Sequence, residues 1–216
     1  MRARRQDGST VEVGTVYGIG RNYALHAAEL GNAVPTEPVV FLKARTAVRG
    51  LDPAPMAFPA ESFHHEVEVV LLVGAPVELG ADPGWEAVEG VTLGLDLTRR
   101  EVQSRCKAEG LPWTAAKSFA GSAVLAPFLP RGDVDVTRPL TLALEVGGQP
   151  RQAGDTSQML FPVPALLRHL ASLAPLSPGD VVFTGTPAGV GPIGVGQAFR
   201  MRLGSGSHSW TWDGVL

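Results

Sequence analysis

Short β-branched runs separated by glycine and proline constrain the fold of this chain more than any other feature of its sequence. The chain has 26 glycines and 18 prolines among 216 residues. His64–Val73 is the clearest run, and Val39–Leu42 and Leu140–Val146 are similar. Such runs bounded by turn residues are typical of strands, and Gly147-Gly148 predicts a hairpin. The sequence therefore predicts a β-rich α+β fold, with helices at Thr98–Ala108 and a few other places.

Composition and charge exclude several classes of function. The formal net charge is -3 and no basic patch stands out, so nucleic acid is not expected as a partner. The single cysteine, Cys106, can form neither an internal disulfide nor a cysteine-rich zinc site. The basic start of the chain is not followed by an apolar segment, and no apolar run is long enough to cross a bilayer. We expect a cytoplasmic protein with no membrane partner.

The segment His64-His65-Glu66-Val67-Glu68 has the strongest chemical signal. Side chains alternate along a strand, so Glu66 and Glu68 project from the same face. Two adjacent carboxylates repel each other and lose hydration when they are buried, whereas a hard cation with oxygen ligands removes both costs. An exposed strand face with ordinary acidic residues explains this pattern equally well.

Asp96 ends the apolar run Val91–Leu95, where a side chain can emerge from a sheet into a cleft. Together with Glu66 and Glu68 it would complete a metal site that leaves positions open for a substrate. Its position alone is better explained by an N-cap of the helix that follows.

Other polar residues are candidates for the same kind of site. His26 and Glu29 share a predicted helix face, where the carboxylate would orient the imidazole as a general base. Lys43 and Lys117 follow apolar or small residues and could stabilise an oxyanion. A surface His–Glu pair and solvent-directed lysines are the ordinary alternatives.

Arg21, Arg100 and Gln103 are candidates for binding a carboxylate. Arg100 and Gln103 share a helix face, and the planar fork of arginine suits two-point binding of a carboxylate. Gly185–Gly191 looks like a binding loop, but it lacks the Gly-Lys-Ser/Thr ending of a phosphate loop. Tight turns account for most of its glycines.

Taken in order, these segments resemble the fumarylacetoacetate hydrolase family, especially its single-domain acylpyruvases, oxaloacetate decarboxylases and hydroxyheptadienedioate isomerases. The resemblance extends over most of residues 16 to 194. The segments that carry it are GIGRNYALHAAELG, VVFLKARTAV, FHHEVEVVLLVG, GLDLTRREVQ, GLPWTAAKSFAGSAVLAP and GDTSQMLFPVPALLRHLASLAPLSPGDVVFTGTPAGVGPI.

The resemblance implies a mixed β-roll with a few helices and a lid segment, assembled as a homodimer. Residues 1–14 would be an arm or first strand, and residues 15–216 one catalytic domain. It also implies Mg²⁺ or Mn²⁺ held by three carboxylates. The residues that match the family's site are Glu66, Glu68 and Asp96 for the metal, His26 and Glu29 on the lid, Lys117 as the active-site lysine, Arg100 and Gln103 near the ligand, and Thr186 at the substrate carboxylate. One departure is Ala44, which stands where the family has proline and predicts a less constrained turn after Lys43.

The activity implied is divalent-metal-dependent hydrolysis of a carbon–carbon bond in acylpyruvate-type 2-oxo acids, through a pyruvate enolate. Oxaloacetate decarboxylation and 2-hydroxyhepta-2,4-diene-1,7-dioate isomerisation use the same enolate and remain alternatives. A non-catalytic metal- or ligand-binding member is the alternative of another class, and the intact carboxylate set argues against it. A cupin-like oxygenase would need several histidine ligands, and only His64 and His65 are close in sequence.

Acylpyruvate hydrolysis and oxaloacetate decarboxylation would require different roles of His26. Hydrolysis needs an activated water, whereas decarboxylation does not. We therefore expect His26→Ala to lower acylpyruvate hydrolysis more than oxaloacetate decarboxylation. Pyruvate release from each substrate measures the effect, and equal losses in both reactions would contradict the role of His26 as a water base.

Overall fold

Strands dominate the structure, as the short β-branched runs predict. The computed structural model describes residues 1–24, 34–51, 58 and 62–216. The strands are β1 (Arg2–Arg4), β2 (Thr10–Glu12), β3 (Val16–Gly20), β4 (Val39–Lys43), β5 (Val48–Arg49), β6 (Ser62–His65), β7 (Val67–Val73), β8 (Val88–Asp96), β9 (Ala123–Leu125), β10 (Leu129–Pro130), β11 (Thr141–Val146), β12 (Gln149–Asp155), β13 (Val181–Phe183), β14 (Gly191–Gly194), β15 (Ala198–Ser205) and β16 (His208–Val215). The α-helices of this part of the chain are α1 (Arg100–Ala108), α2 (Thr114–Lys117) and α3 (Val163–Leu173).

The largest sheet mixes parallel and antiparallel strands. Its order is β4-β3-β13-β7-β8-β9-β5, and β10 also pairs with β8. Strand β13 runs parallel to β3, and β5 runs parallel to β9. The other neighbouring strands run antiparallel. The β-rich mixed fold with few helices that the sequence predicts is therefore confirmed.

Strand β7 lies inside this sheet and supplies both of its apolar faces. All of its residues are buried, and all are aliphatic except Glu68. Val69 and Leu71 belong to one apolar cluster, whereas Val70 and Leu72 belong to another. This division is what alternation along a strand requires. Glu68 has the parity of Val70 and Leu72, so a carboxylate stands on a face that is otherwise apolar.

A second sheet packs into the same core. Its order is β12-β11-β15-β16, and it contributes apolar side chains to the larger cluster of the main sheet. The predicted hairpin at Gly147-Gly148 joins β11 to β12, with φ of 58° and 73° at the two glycines. Glycine adopts such angles without a steric cost. Helix α3 adds Leu166, Leu167 and Leu170 to this core.

Three local features differ from the sequence prediction. The strand predicted at His64–Val73 is interrupted at Glu66, because β6 pairs with β14 while β7 pairs with β8 and β13. The turn-rich segment that begins at Gly185 contains strand β14. Helix α2 is not foreseen in the sequence.

The start of the chain forms a small sheet of its own. Strands β1 and β2 pair antiparallel, and Arg5 forms a β-bridge with Phe128 in the body of the protein. The division between residues 1–14 and residues 15–216 stays a prediction. Within the described residues, no helix has the length and apolarity needed to cross a membrane.

Asn22 fastens the segment that leads to the predicted lid. Its fully buried side chain donates a hydrogen bond to the carbonyl of Thr184 (2.8 Å) and accepts one from the amide of Phe161 (2.8 Å). The lid itself, with His26 and Glu29, lies outside the described residues.

Asp180 joins two segments beside the main sheet and gives a test of this packing. Its buried carboxylate accepts hydrogen bonds from the amides of Thr15 (2.7 Å) and Ser177 (2.8 Å). Asp180→Ala should lower the free energy of unfolding by about 1–3 kcal/mol, because two N–H donors lose their partner. Denaturant unfolding measures this change. The matched control is Asp82→Ala, at an exposed aspartate. An equal loss of stability there would contradict the stabilising role of the Asp180 hydrogen bonds.

Candidate active site

Three carboxylates converge at the ends of β6, β7 and β8. Glu66 occupies the break between β6 and β7, Glu68 lies on β7, and Asp96 ends β8. The backbone amide of Asp96 donates to the carbonyl of Glu66 (2.9 Å), which brings the two side chains together. Oxygen atoms of the three carboxylates all lie within 4.8 Å of one another. The three residues are at most 4% exposed, so their mutual repulsion is weakly screened by water.

Lys117 lies among these carboxylates. Its Nζ donates hydrogen bonds to Glu66 Oε2 (2.7 Å), Asp96 Oδ2 (2.6 Å) and Thr98 Oγ1 (2.8 Å). Burial disfavours the charged form of Lys117, but the carboxylates of Asp96 and Glu66 outweigh burial and raise the pKa of its ammonium. The short helix α2 ends at Lys117 and delivers it to this position. The buried ammonium therefore offsets part of the negative charge of the cluster.

Lys43, at the end of β4, is a second buried lysine beside the cluster. Its Nζ lies 2.7 Å from Asp96 Oδ1, although that oxygen accepts no hydrogen bond of good geometry within the described residues. Its ammonium donates instead to the carbonyls of Lys117 and Ser122. Burial lowers the pKa of Lys43, more strongly than Asp96 raises it. Lys43 therefore fixes the backbone of Lys117 as well as countering the charge of Asp96.

The turn after Lys43 is held by a hydrogen bond that proline could not make. The amide of Ala44 donates to Ser118 Oγ (2.8 Å), and Ala44 has φ of -60° and ψ of 140°. Proline would tolerate these angles but has no N–H to donate. The loss of constraint predicted for Ala44 is thus offset by a contact to the residue that follows α2.

Arg100 and Gln103 lie at the cluster, but Arg100 holds a protein carboxylate. Its Nη2 donates to Glu66 Oε1, and its Nη1 donates to Gln103 Oε1 (2.6 Å). Helix α1 begins at Arg100, with Arg99 at the N-cap position. The N-cap explanation of Asp96 is therefore wrong, because the side chain of Asp96 faces the two lysines.

Glu68 is the carboxylate with the least compensation. It forms no salt bridge within the described residues, and its Oε2 accepts one hydrogen bond, from the amide of Gly185 (2.6 Å). Burial, followed by the charges of Asp96 and Glu66, raises the pKa of Glu68 well above its usual value. A divalent cation bound by oxygen ligands would relieve this repulsion and could also bind Asp96 Oδ1, which accepts no hydrogen bond within the described residues. The donor set therefore fits Mg²⁺ or Mn²⁺.

Thr186 lines the same cavity as Glu66 and Glu68, and its hydroxyl makes a separate set of contacts. Its hydroxyl donates to the carbonyl of Val67 (2.7 Å) and accepts from Gln152 Nε2 (2.7 Å). Gln152 Oε1 accepts from the amide of Val67 (3.0 Å) and faces His65 Nδ1 (2.9 Å). The only hydroxyl proton of Thr186 is thus already used, so its hydroxyl must turn before it can donate to a substrate carboxylate.

Arg21 lines the same cavity and has an uncommon backbone conformation. Its φ is 60°, in the left-handed region, and its buried Nε has no hydrogen-bond partner within the described residues. Its guanidinium lies 5.9 Å from the centre of the Trp113 ring. Arg21 and Trp113 line one small cavity, of about 20 Å³, whose other wall residues are Ile19, Gly20, Glu66, Glu68, Arg100, Gln103, Lys107, Lys117 and Thr186.

The cavity brings together most residues that the sequence singled out, and its lining also includes Lys107 and Trp113, which the sequence analysis did not select. Larger cavities lie elsewhere, beside β4 and beside Arg49. The small one is the better candidate because buried titratable groups converge there. Lys107 was missed, although it follows Gln103 by four residues and so shares its helix face. No local pattern points to Trp113. His26 and Glu29 lie outside the described residues.

Comparisons with known proteins identify relatives of this chain in sequence and in fold. Residues 15–210 match the family described as fumarylacetoacetate (FAA) hydrolase C-terminal. A mitochondrial oxaloacetate decarboxylase of Dictyostelium discoideum is 39% identical over 204 residues, 93% of this chain and 94% of the relative. A mitochondrial oxaloacetate tautomerase of Arabidopsis thaliana is 42% identical over 181 residues, 83% of this chain and 81% of the relative. A crystal structure of fumarylpyruvate hydrolase from Pseudomonas aeruginosa, in complex with Mn²⁺ and pyruvate, has a TM-score of 0.88 and 33% identity over 100% of this chain and 96% of that chain.

The uncompensated charge of Glu68 gives a test of metal binding that does not depend on turnover. Glu68→Gln should weaken Mg²⁺ or Mn²⁺ binding at least tenfold (an order-of-magnitude figure), since a change in even an outer partner costs about that much. It should not lower the melting temperature in EDTA, because it removes a repelled buried charge and keeps an acceptor for Gly185. Calorimetric titration and thermal unfolding measure the two effects. Glu78→Gln, at an exposed glutamate, is the control. Unchanged metal affinity in Glu68→Gln would contradict the ligand assignment.

Proposed function

The chain belongs to the fumarylacetoacetate hydrolase family of metal-dependent enzymes that act on carbon–carbon bonds, and we propose that its substrate is oxaloacetate. The reaction would interconvert the keto and enol forms or release the distal carboxylate as CO₂. Both reactions pass through an enolate at C2–C3 of the substrate. The sequence predicts a small 2-oxo acid as substrate, and the proposal specifies one with two carboxylates.

The observation that carries this proposal is the buried cluster of Glu66, Glu68 and Asp96, in which Lys117 bonds Glu66 and Asp96. A divalent cation held by these three carboxylates would supply Lewis-acid polarisation of the 2-oxo group. Mg²⁺ is our first choice of cation and Mn²⁺ the second, because both prefer oxygen ligands.

The other groups of the site suit an enolate. The Lys117 ammonium already contacts three oxygens, so a substrate oxygen that replaces one of them would receive a charged donor as negative charge develops on it. Arg100 and Gln103 form a joined pair that would orient the substrate while Arg100 keeps Glu66 in place. His26, oriented by Glu29, is our proposed base for proton transfer at C3 or for activating water.

Two observations about relatives support oxaloacetate. The two relatives compared above are named as oxaloacetate enzymes, and each covers more than four fifths of this chain. They are enzymes by name, which disfavours a non-catalytic role for this chain.

Hydrolysis of acylpyruvate-type acids, the first expectation from the sequence, is the second candidate. The structure named as a fumarylpyruvate hydrolase, with pyruvate bound, favours it. Pyruvate is also the product that decarboxylation of oxaloacetate leaves, so one site suits both reactions. The isomerase alternative has the same requirement for an enolate.

Two further expectations stay predictions. The homodimer implied by the resemblance is part of this proposal, and the molar mass from light scattering would test it. A cytoplasmic location is also only proposed, and the oxaloacetate relatives are described as mitochondrial.

Purified protein with oxaloacetate tests the proposal. Enol absorbance reports tautomerisation and coupled reduction of pyruvate reports decarboxylation, each corrected for the rate without enzyme. We expect turnover with Mg²⁺ or Mn²⁺ and none in EDTA. Lys117→Met should lower kcat by about a hundredfold or more, because it removes a buried donor to the enolate.

The matched control is Arg105→Met, which removes an exposed cation from α1. No turnover of oxaloacetate with either metal, together with release of pyruvate from acetylpyruvate or fumarylpyruvate, would replace the proposal by the hydrolase. No reaction with any of the three substrates would refute both.

A further inference from the structure

Side chains replace strand pairing along one edge of β7 where it reaches the metal carboxylates. The register of β13 with β7 ends at Phe183, opposite Val70. Further along the same strand, the carbonyl of Val67 accepts a hydrogen bond from Thr186 Oγ1 (2.7 Å). The amide of Val67 donates to Gln152 Oε1 (3.0 Å). Both backbone polar groups of Val67 are therefore bound by side chains.

Val67 separates two of the three candidate metal ligands. Glu66 precedes it and Glu68 follows it. The N–H of Val67 therefore belongs to the peptide group shared with Glu66, and its C=O belongs to the peptide group shared with Glu68. Val67 is fully buried, and a buried N–H or C=O without a partner is costly. Side chains that bind these two groups hold the two peptide planes, and with them the directions in which the two carboxylates leave the backbone.

Gln152 is the side chain that connects the two groups. Its Oε1 accepts hydrogen bonds from the amide of Val67 (3.0 Å) and from His65 Nδ1 (2.9 Å). Its Nε2 donates to Thr186 Oγ1 (2.7 Å) and to the carbonyl of Pro187 (2.9 Å). An amide side chain has two N–H donors and two lone pairs on its oxygen, so all of them are used here. Gln152 is only 3% exposed, which shields these bonds from water.

The direction of each of these hydrogen bonds follows from what its partners can do. The N–H of Val67 can only donate and the carbonyl of Pro187 can only accept, so the Gln152 amide has one possible orientation. Thr186 Oγ1 must then accept from Gln152, and its single proton is left for the carbonyl of Val67. Gln152, Thr186 and Val67 thus form a closed ring of hydrogen bonds behind the peptide groups between Glu66 and Glu68.

We propose that Gln152 is a positioning residue that strengthens divalent-cation binding by holding the peptide groups on either side of Val67. It acts directly on the N–H of Val67 and through Thr186 on the C=O. This inference rests on the metal site of the proposed function. Among the described residues, Thr186 lines the carboxylate cavity and Gln152 does not, so Gln152 would touch neither the cation nor the substrate.

Gln152→Met tests this role, because it removes the four hydrogen bonds and keeps a side chain of similar length. We expect the Kd for Mn²⁺ from calorimetric titration to rise about tenfold, which is typical when a partner behind a metal ligand is lost. The electron paramagnetic resonance spectrum of Mn²⁺ at saturation should also change, because the ligands are held differently. A residue that only stabilised the fold would lower the melting temperature and leave both the affinity and the spectrum of the folded protein unchanged.

The matched control is Gln149→Met, at an exposed residue of the same strand β12, and it should leave Mn²⁺ binding unchanged.

Thr186 variants test the other half of the ring, and they carry the test if Gln152→Met does not fold. Thr186→Val keeps the shape of the side chain but removes the hydroxyl, so it should weaken Mn²⁺ binding. Thr186→Ser keeps the hydroxyl and should retain the wild-type affinity. The double variant Gln152→Met/Thr186→Val should lose less affinity than the product of the two single losses, because both changes break the same ring. Independent losses, or wild-type affinity in Thr186→Val, would contradict the inference.

The inference and the proposed function can fail separately. If the wild type binds Mn²⁺ and Gln152→Met binds it equally tightly with the same spectrum, the inference is wrong and the proposed function stands. If the wild type does not bind Mn²⁺, the metal site of the proposed function is wrong and the inference falls with it.

Discussion

The contact of Lys117 with Glu66 and Asp96 is the interaction on which the site depends. Two buried carboxylates this close repel each other strongly, and burial removes the water that would otherwise screen them. One ammonium that bonds both of them offsets that cost and ties β8 and α2 to the break between β6 and β7. Replacing the whole set by apolar residues could be tolerated energetically, whereas removing the lysine alone would take one cationic partner from each of two buried carboxylates. The charged groups of the site therefore depend on one another for their stability.

Much of the fold could be predicted because its signals are local. Alternation along β7, the glycine pair before β12 and the amphipathic pattern of α3 depend on residues close in sequence. Strand β14 could not be predicted in this way, because Gly-Pro-Ile-Gly has little strand propensity and forms a strand by pairing with distant β6. Helix α2 is a single turn, too short for a helical period to be recognised.

In the candidate site, too, features set by residues close in sequence could be predicted, and features set by distant contacts could not. Parity on a strand predicts that Glu66 and Glu68 act together, and the structure joins them despite the break at Glu66. Asp96 is distant in sequence from Glu66 and Glu68, so its position beside them depends on the register of β7 with β8. The use of Arg100 by Glu66, and the cations on Trp113, arise from contacts between elements that no local pattern encodes. The resemblance to a family supplied what spacing alone did not, namely the choice of Asp96 as a ligand over a helix cap.

The backbone at Arg21 has a consequence for how this enzyme can change over time. A residue with a side chain in the left-handed region carries a conformational cost of the order of 1 kcal/mol, and glycine at the same place would not. Glycine would, however, remove the guanidinium beside Trp113. Selection for thermal robustness would favour glycine at position 21, whereas the role in binding a carboxylate that the sequence predicts for Arg21 would favour arginine. Under that prediction, position 21 would be a local instance of the trade-off between stability and activity, and a variant selected for thermal stability alone would tend to lose its arginine here.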